Sequence, residues 1–169
     1  GLFNFLQGVR DSADIRVRDW VNQLTAKNLS AYEVADEIID QVISTGGSLE
    51  EESCRDSMAQ AMSDLLTIAP DVDFLNMDND SIWTVMELFM ANEAFNRLNL
   101  DIGQLFESDR YSPREAVSRM NDMRDYLKSE ISAQIQELRT DTYNPTKAEM
   151  NALLQSAIKT TFEVFEEEA

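Results

Sequence analysis

The sequence predicts an all-α protein, a single-domain bundle of six or seven helices over residues 1–169, and three observations carry that expectation. Four Ser/Thr-x-x-Glu boxes stand ahead of apolar runs: "SAYE" from Ser30, "SLEE" from Ser48, "SPRE" from Ser112 and "TKAE" from Thr146. In each, the hydroxyl is placed to accept the N3 amide while the glutamate reaches back to the N-cap amide, which satisfies two orphan donors of the helix start. The runs that follow repeat apolar residues in steps of three and four, the helical period. Only three Pro and five Gly punctuate 169 residues, while a 43% hydrophobic share is enough for a real core at a length that suits one domain.

At the N-terminus, Leu2, Phe5, Leu6 and Val9 fall at i, i+3, i+4 and i+7, one or two amphipathic turns ahead of a helix near residues 13 to 27. Such a stripe suits either docking on the bundle or lying on a membrane. With Arg10 as its one base and a net charge of −18 over the chain, anionic lipid would repel it, so docking is expected. "GLFNF" has no Ser or Thr at its fifth residue and misses the myristoylation pattern.

After Ser30 the stripe is Ala35, Ile38, Ile39 and Val42, stopped by "TGG" at 45–47. After Ser48 it is Cys54, Met58, Ala61, Met62, Leu65, Leu66 and Ala69, closed by Pro70. Cys54 therefore reads as a small core residue, and a lone cysteine fits a reducing compartment. An apolar central helix is expected near 81–99. Its first part, "IWTVMELFM", leaves only a narrow polar strip with Thr84 and Glu87, and past Met90 the pattern reverses, with Asn92, Glu93, Asn96 and Arg97 on the formerly apolar face. That helix serves two neighbours, with a kink or a crossing near Ala91. A long helix near 113–139 starts with Pro113 at N1 and carries Val117, Met120, Leu127, Ile131 and Leu138, with Arg124 and Gln134 at two apolar slots. The last helix sets Met150, Leu153, Leu154, Ala157, Ile158, Thr161, Phe162 and Phe165 on one face.

One stretch imitates a metal site. "NMDNDSIWTVME", residues 76–87, offers Asn76, Asp78, Asp80 and Glu87 in EF-hand rhythm, but the glycine position is Ser81 and Pro70 leaves no room for an entering helix. The preferred reading is a helix cap, with Asp78, Asn79, Asp80 and Ser81 placing acceptors and negative charge at a positive helix end.

Chemistry is constrained by composition. Without a single histidine the chain has no Ser-His-Asp or Cys-His nucleophile, no HExxH zinc site and no Glu-x-x-His di-iron pattern. No glycine-rich phosphate loop occurs, and among 32 acids a carboxylate pair specifies nothing. The chain is expected to be non-enzymatic and without a cofactor.

Charge remains. Residues 45–103 hold 12 acids against Arg55 and Arg97, a net of −10. The acids singled out for partner binding are Glu50, Glu51, Glu52, Asp71, Asp73, Asp78, Asp80, Glu166, Glu167 and Glu168. An acidic face of this kind either keeps a protein soluble or steers a basic partner onto it. The leading expectation is an acidic protein that regulates or neutralises a basic partner, of inhibitor, immunity, adaptor or assembly-chaperone type. The alternative is a nucleic-acid mimic that occupies a DNA- or RNA-binding groove. Direct nucleic-acid binding is not expected, since Arg110, Arg114, Arg119, Arg124 and Lys128 are interleaved with Glu115, Asp122 and Asp125. No run is long and apolar enough to span a membrane, so a soluble cytoplasmic protein is expected, with homo-oligomerisation open.

Overall fold

The structure, a computed structural model, describes residues 2–11, 14–43, 48–106, 112–141 and 145–167. Those residues form seven helices and no strand: α1 (Leu2–Asp11), α2 (Ile15–Ala26), α3 (Ala31–Val42), α4 (Leu49–Ile68), α5 (Asn79–Phe106), α6 (Pro113–Asp141) and α7 (Lys147–Glu167). The expected all-α bundle is what the chain forms. Its contacts fall into two compact units, Gly1–Phe89 and Met90–Ala169, and the boundary lies inside α5, beside the residue where the apolar pattern reverses.

The predicted boxes start the helices they precede. At Ser48 the hydroxyl accepts the Glu51 N–H (3.2 Å) and Glu51 accepts the Ser48 N–H (3.3 Å). The same reciprocal pair joins Ser112 with Glu115 and Thr146 with Glu149. At Ser30 the hydroxyl accepts the Glu33 amide, but the return bond runs from that hydroxyl to the Glu33 carboxylate, so the box is half made. The "TGG" stop at 45–47 lies outside the described residues. α2 closes on Asn28, which takes the left-handed conformation (φ 51) that Asn tolerates at a helix end.

In the first unit, α1 docks: Leu2, Phe3, Leu6 and Val9 are buried. Phe3, absent from the predicted stripe, meets Trp83 edge to face with ring centroids 5.0 Å apart, while Phe5 is half-buried against Trp20 at 5.6 Å. α3 packs along α4, burying Ala35, Ile38 and Ile39 from one side and Ser57, Met58, Ala61, Met62 and Leu65 from the other. Cys54 and Leu66, expected in this core, are half-buried. Cys54 points the right way but sits a turn nearer the helix start than the covered stretch. Between α4 and α5 the chain makes two turns, closed by Val72 N–H to Ala69 O and Asn76 N–H to Asp73 O, and anchors them with buried Phe74 and Met77. Ile82, Trp83, Val85 and Met86 then bury the start of α5, with Thr84 and Glu87 in the half-buried strip.

The second unit begins with the remainder of α5. Ala91, Ala94 and Leu98 are buried, and so is Glu93, which the sequence pattern assigns to a polar face. Burying a carboxylate is costly unless it is paired, and Arg97 Nε donates to Glu93 Oε1 at 3.1 Å from one turn along. α6 and α7 pack along each other. α6 buries Met123, Leu127, Ile131 and Ile135, whereas Val117 is 62% exposed and Met120 and Leu138 are half-buried. The seam therefore runs one position to the side of the expected one at two levels, with Met123 and Ile135 filling the slots assigned to Arg124 and Gln134. Those two polar side chains lie on its flank, Arg124 with its guanidinium 4.8 Å from the Phe95 ring centre and Gln134 donating to Glu130 (2.8 Å). α7 matches its predicted face: Met150, Leu153, Leu154, Ala157 and Thr161 are buried, Ile158, Phe162 and Phe165 half-buried. The buried Thr161 hydroxyl finds its acceptor in the Ala157 carbonyl (2.8 Å).

Candidate functional site

The predicted acids divide between two places in the first unit. Glu50 and Glu52 are exposed in the first turn of α4, next to Glu51, which is half-buried and occupied by the capping box. Asp71 and Asp73 are exposed beyond the other end of α4, and Asp78 and Asp80 are exposed at the start of α5. A helix of 20 residues is about 30 Å long, so the two sets lie at opposite ends of α4 and do not form one patch. Glu166, Glu167 and Glu168 lie outside the residues whose side chains are described.

Several of these carboxylates already have local work. Asp73 Oδ1 accepts the Leu75 N–H (3.0 Å), which fixes the turn ahead of Phe74. Asp78 is the N-cap of α5, with Oδ1 accepting the Ser81 N–H (2.7 Å) and its carbonyl accepting the Ile82 N–H (3.0 Å). Arg10 of α1 reaches the same corner and donates to Asn79 Oδ1 (2.5 Å) while pairing with Asp11 (2.9 Å). Residues 79 to 87 are helical, so the stretch with calcium-loop spacing is not a loop beyond its third residue: Asn76 lies in the turn closed on the Asp73 carbonyl, and Asp80 and Glu87 lie on α5. Among the described residues, no three His, Cys, Asp or Glu side chains are grouped as metal ligands.

The backbone N–H and the hydroxyl of Ser81, with a smaller contribution from the nearby Arg10 charge, hold the Asp78 carboxyl below the usual carboxylate range. Its folded pKa lies below its unfolded one, near 3.9, so its stabilisation is present above that value and is lost as pH falls through the lower folded pKa. Asp78→Asn, which keeps a cap acceptor without a titrating charge, should lose this part of the acid sensitivity below about pH 4, and Asp78→Ala should cost about 1 kcal/mol at neutral pH. Urea unfolding of the three proteins from pH 2.5 to 7 checks both; identical acid profiles for Asp and Asn would remove the carboxylate from the account.

Sequence reasoning missed the acids of α3. Glu33, Asp36 and Asp40 are exposed along it. Their spacing of three and four, opposite Ala35, Ile38 and Ile39, was available as a signal. Asp40 is paired with Arg55 of α4, one of the few bases nearby. Gly1–Phe89 carries 17 acids against five bases, a net of −12, and Met90–Ala169 a net of −6. The first unit thus carries a distributed negative field. No described helix is long and apolar enough to cross a membrane.

A family model described as "Qat anti-phage system associated protein QatB" matches residues 1–165. No curated protein and no solved structure matches the chain.

Proposed function

This chain belongs to the QatB family, and on that premise we propose that it serves anti-phage defence as a non-enzymatic acidic component that docks a basic surface of another protein of the Qat system. The observation that carries the reading is the net −12 of Gly1–Phe89, displayed on exposed carboxylates at both ends of α4 and along α3. Opposed fields of this kind raise association rates and fix orientation more than they add affinity. The proposed role needs no cofactor and no histidine chemistry, and it has the protein act in the cytoplasm beside its partners.

Glu50 and Glu52 test it cleanly, because neither belongs to the capping box that Glu51 completes with Ser48. The Glu50→Gln/Glu52→Gln protein should keep its melting temperature and associate with the basic Qat protein several-fold more slowly. Its salt dependence should flatten, since steering by exposed charge is screened over a Debye length of about 8 Å at physiological ionic strength. Stopped-flow or surface-based association rates across a salt series, with the purified proteins of the system taken pairwise, supply the measurement. A rate insensitive to both salt and the double substitution would reduce the acidity to a solubility feature.

A further inference from the structure

α3 and α4 follow each other in the chain and pack along each other, and Asp40 near the end of α3 pairs with Arg55 near the start of α4, so the two helices form an antiparallel hairpin. Each turns a buried stripe toward the core, Ala35, Ile38 and Ile39 on α3 and Met58, Ala61, Met62 and Leu65 on α4. Both stripes run on past the stretch that is covered. Tyr32 stands three residues before Ala35 and seven before Ile39, and Ile68 stands three after Leu65 and seven after Ala61, yet Tyr32 is 61% exposed and Ile68 65%. At a rise of about 1.5 Å per residue, Tyr32 lies about 12 Å and Ile68 about 20 Å along the axes from the Asp40–Arg55 pair, toward the same end of the hairpin. That offset of about 8 Å is less than the diameter of one helix, about 10 Å. Scattered apolar side chains are ordinary on a surface, but two that prolong the facing stripes of one hairpin mark a groove left open at its end.

The charge around this opening has one sign. Residues 27–36 and 61–73 hold five acids, Glu33, Asp36, Asp64, Asp71 and Asp73, against Lys27. Asp36 follows Tyr32 by four residues and Asp64 precedes Ile68 by four, each one turn from the apolar side chain on its own helix. The net −12 of the unit repels an anionic bilayer, a nucleic acid and a second copy of a chain that itself carries −18. It attracts a basic protein, and a groove between two helices receives the ridge of a third. We propose that the open end of the α3–α4 groove seats an amphipathic helix of a basic partner protein, with its apolar stripe on Tyr32 and Ile68 and its lysines or arginines toward Asp36, Asp64 and Asp71. The proposal rests on the reading of the first unit as a docking surface for a basic protein, and adds the apolar anchor that charge alone does not supply.

Two labelled 18-residue helix-forming peptides, titrated into the full chain and followed by anisotropy, are the probes. Both carry Lys at the e and g positions; one has Leu at a and d, the other Gln. The Leu peptide should bind at least tenfold more tightly than the Gln peptide, and Tyr32→Ser/Ile68→Ser should remove that advantage with an unchanged circular dichroism spectrum. Tyr32→Ser alone should remove part of it, which decides the matter if the double variant folds poorly. Asp73 fixes a turn and Asp64 accepts from Gln60, so the charge is tested at the other two: Asp36→Asn/Asp71→Asn should weaken both peptides several-fold and flatten their salt dependence. A Leu peptide that binds no better than the Gln peptide, or whose advantage survives in both apolar variants, overturns the proposal and leaves the acidic reading standing. Binding of the Leu peptide that is indifferent to salt removes the acidic reading, and the proposal with it. A dimer that Tyr32→Ser/Ile68→Ser dissolves, or phosphatidylserine vesicles bound by the unaltered chain and released by that variant, overturns it by making the occupant a second copy or a lipid.

Discussion

Phe3→Ala should destabilise the protein by about 3 kcal/mol, the cost of a large side chain removed from a filled site together with its aromatic edge contact. Phe3 is 4% exposed and its ring meets Trp83, so this residue of α1 is part of the core of Gly1–Phe89. Urea unfolding followed by tryptophan emission is the direct measurement, because the contact partner is itself a reporter. A loss under about 1 kcal/mol, within the range of an ordinary surface substitution, would mean that α1 is not seated as described. The Phe5→Ala change, at a half-buried ring against Trp20, should cost less.

The second large effect separates two registers of one helix. Leu127→Ala should cost about 3 kcal/mol, since the side chain is fully buried in α6 and its loss leaves a cavity that the neighbours fill only in part. Val117→Ala should fall within about 0.5 kcal/mol, because Val117 is an exposed residue near the start of α6. Both are apolar positions of the seam expected from the sequence, so equal losses at both would restore that seam and displace the one through Met123 and Ile135.

These comparisons show what helix-forming signals convey. The starts at Ser48, Ser112 and Thr146 were legible because a capping box is a local device whose donors and acceptors lie within four residues, and each is made as predicted. The face of α7 was legible for a related reason, a three-four pattern of mostly large apolar residues in which only Ala157 is small and only Thr161 polar. α6 misled because four apolar residues at i, i+4 steps, Met123 to Ile135, compete with a three-four pattern that starts at Val117, and only the neighbouring helix decides which stripe is covered. Glu93 and Phe74 were hidden for the same reason: burial of an isolated residue depends on what packs against it, and composition at one position does not reveal that. Of the candidate site, the existence of the acidic excess was legible and its layout was not. Glu52 and Asp71, both counted in one acidic region, are kept at opposite ends of a rigid 20-residue rod, whereas Asp40 and Arg55, 15 positions apart, are joined.

The position of the unit boundary inside α5 bears on how the protein can be taken apart. A fragment ending at Phe89 would leave the last four carbonyls of its helix without acceptable donors, and one starting at Met90 would open with four amides and no cap. It would also begin three residues before the buried Glu93, removing the turn that precedes it. Pieces made for expression or for mapping partners should therefore overlap rather than abut, one running from Gly1 through Phe106 and the other from Asp78 onward, so that each carries α5 entire and the second keeps the aspartate that starts it.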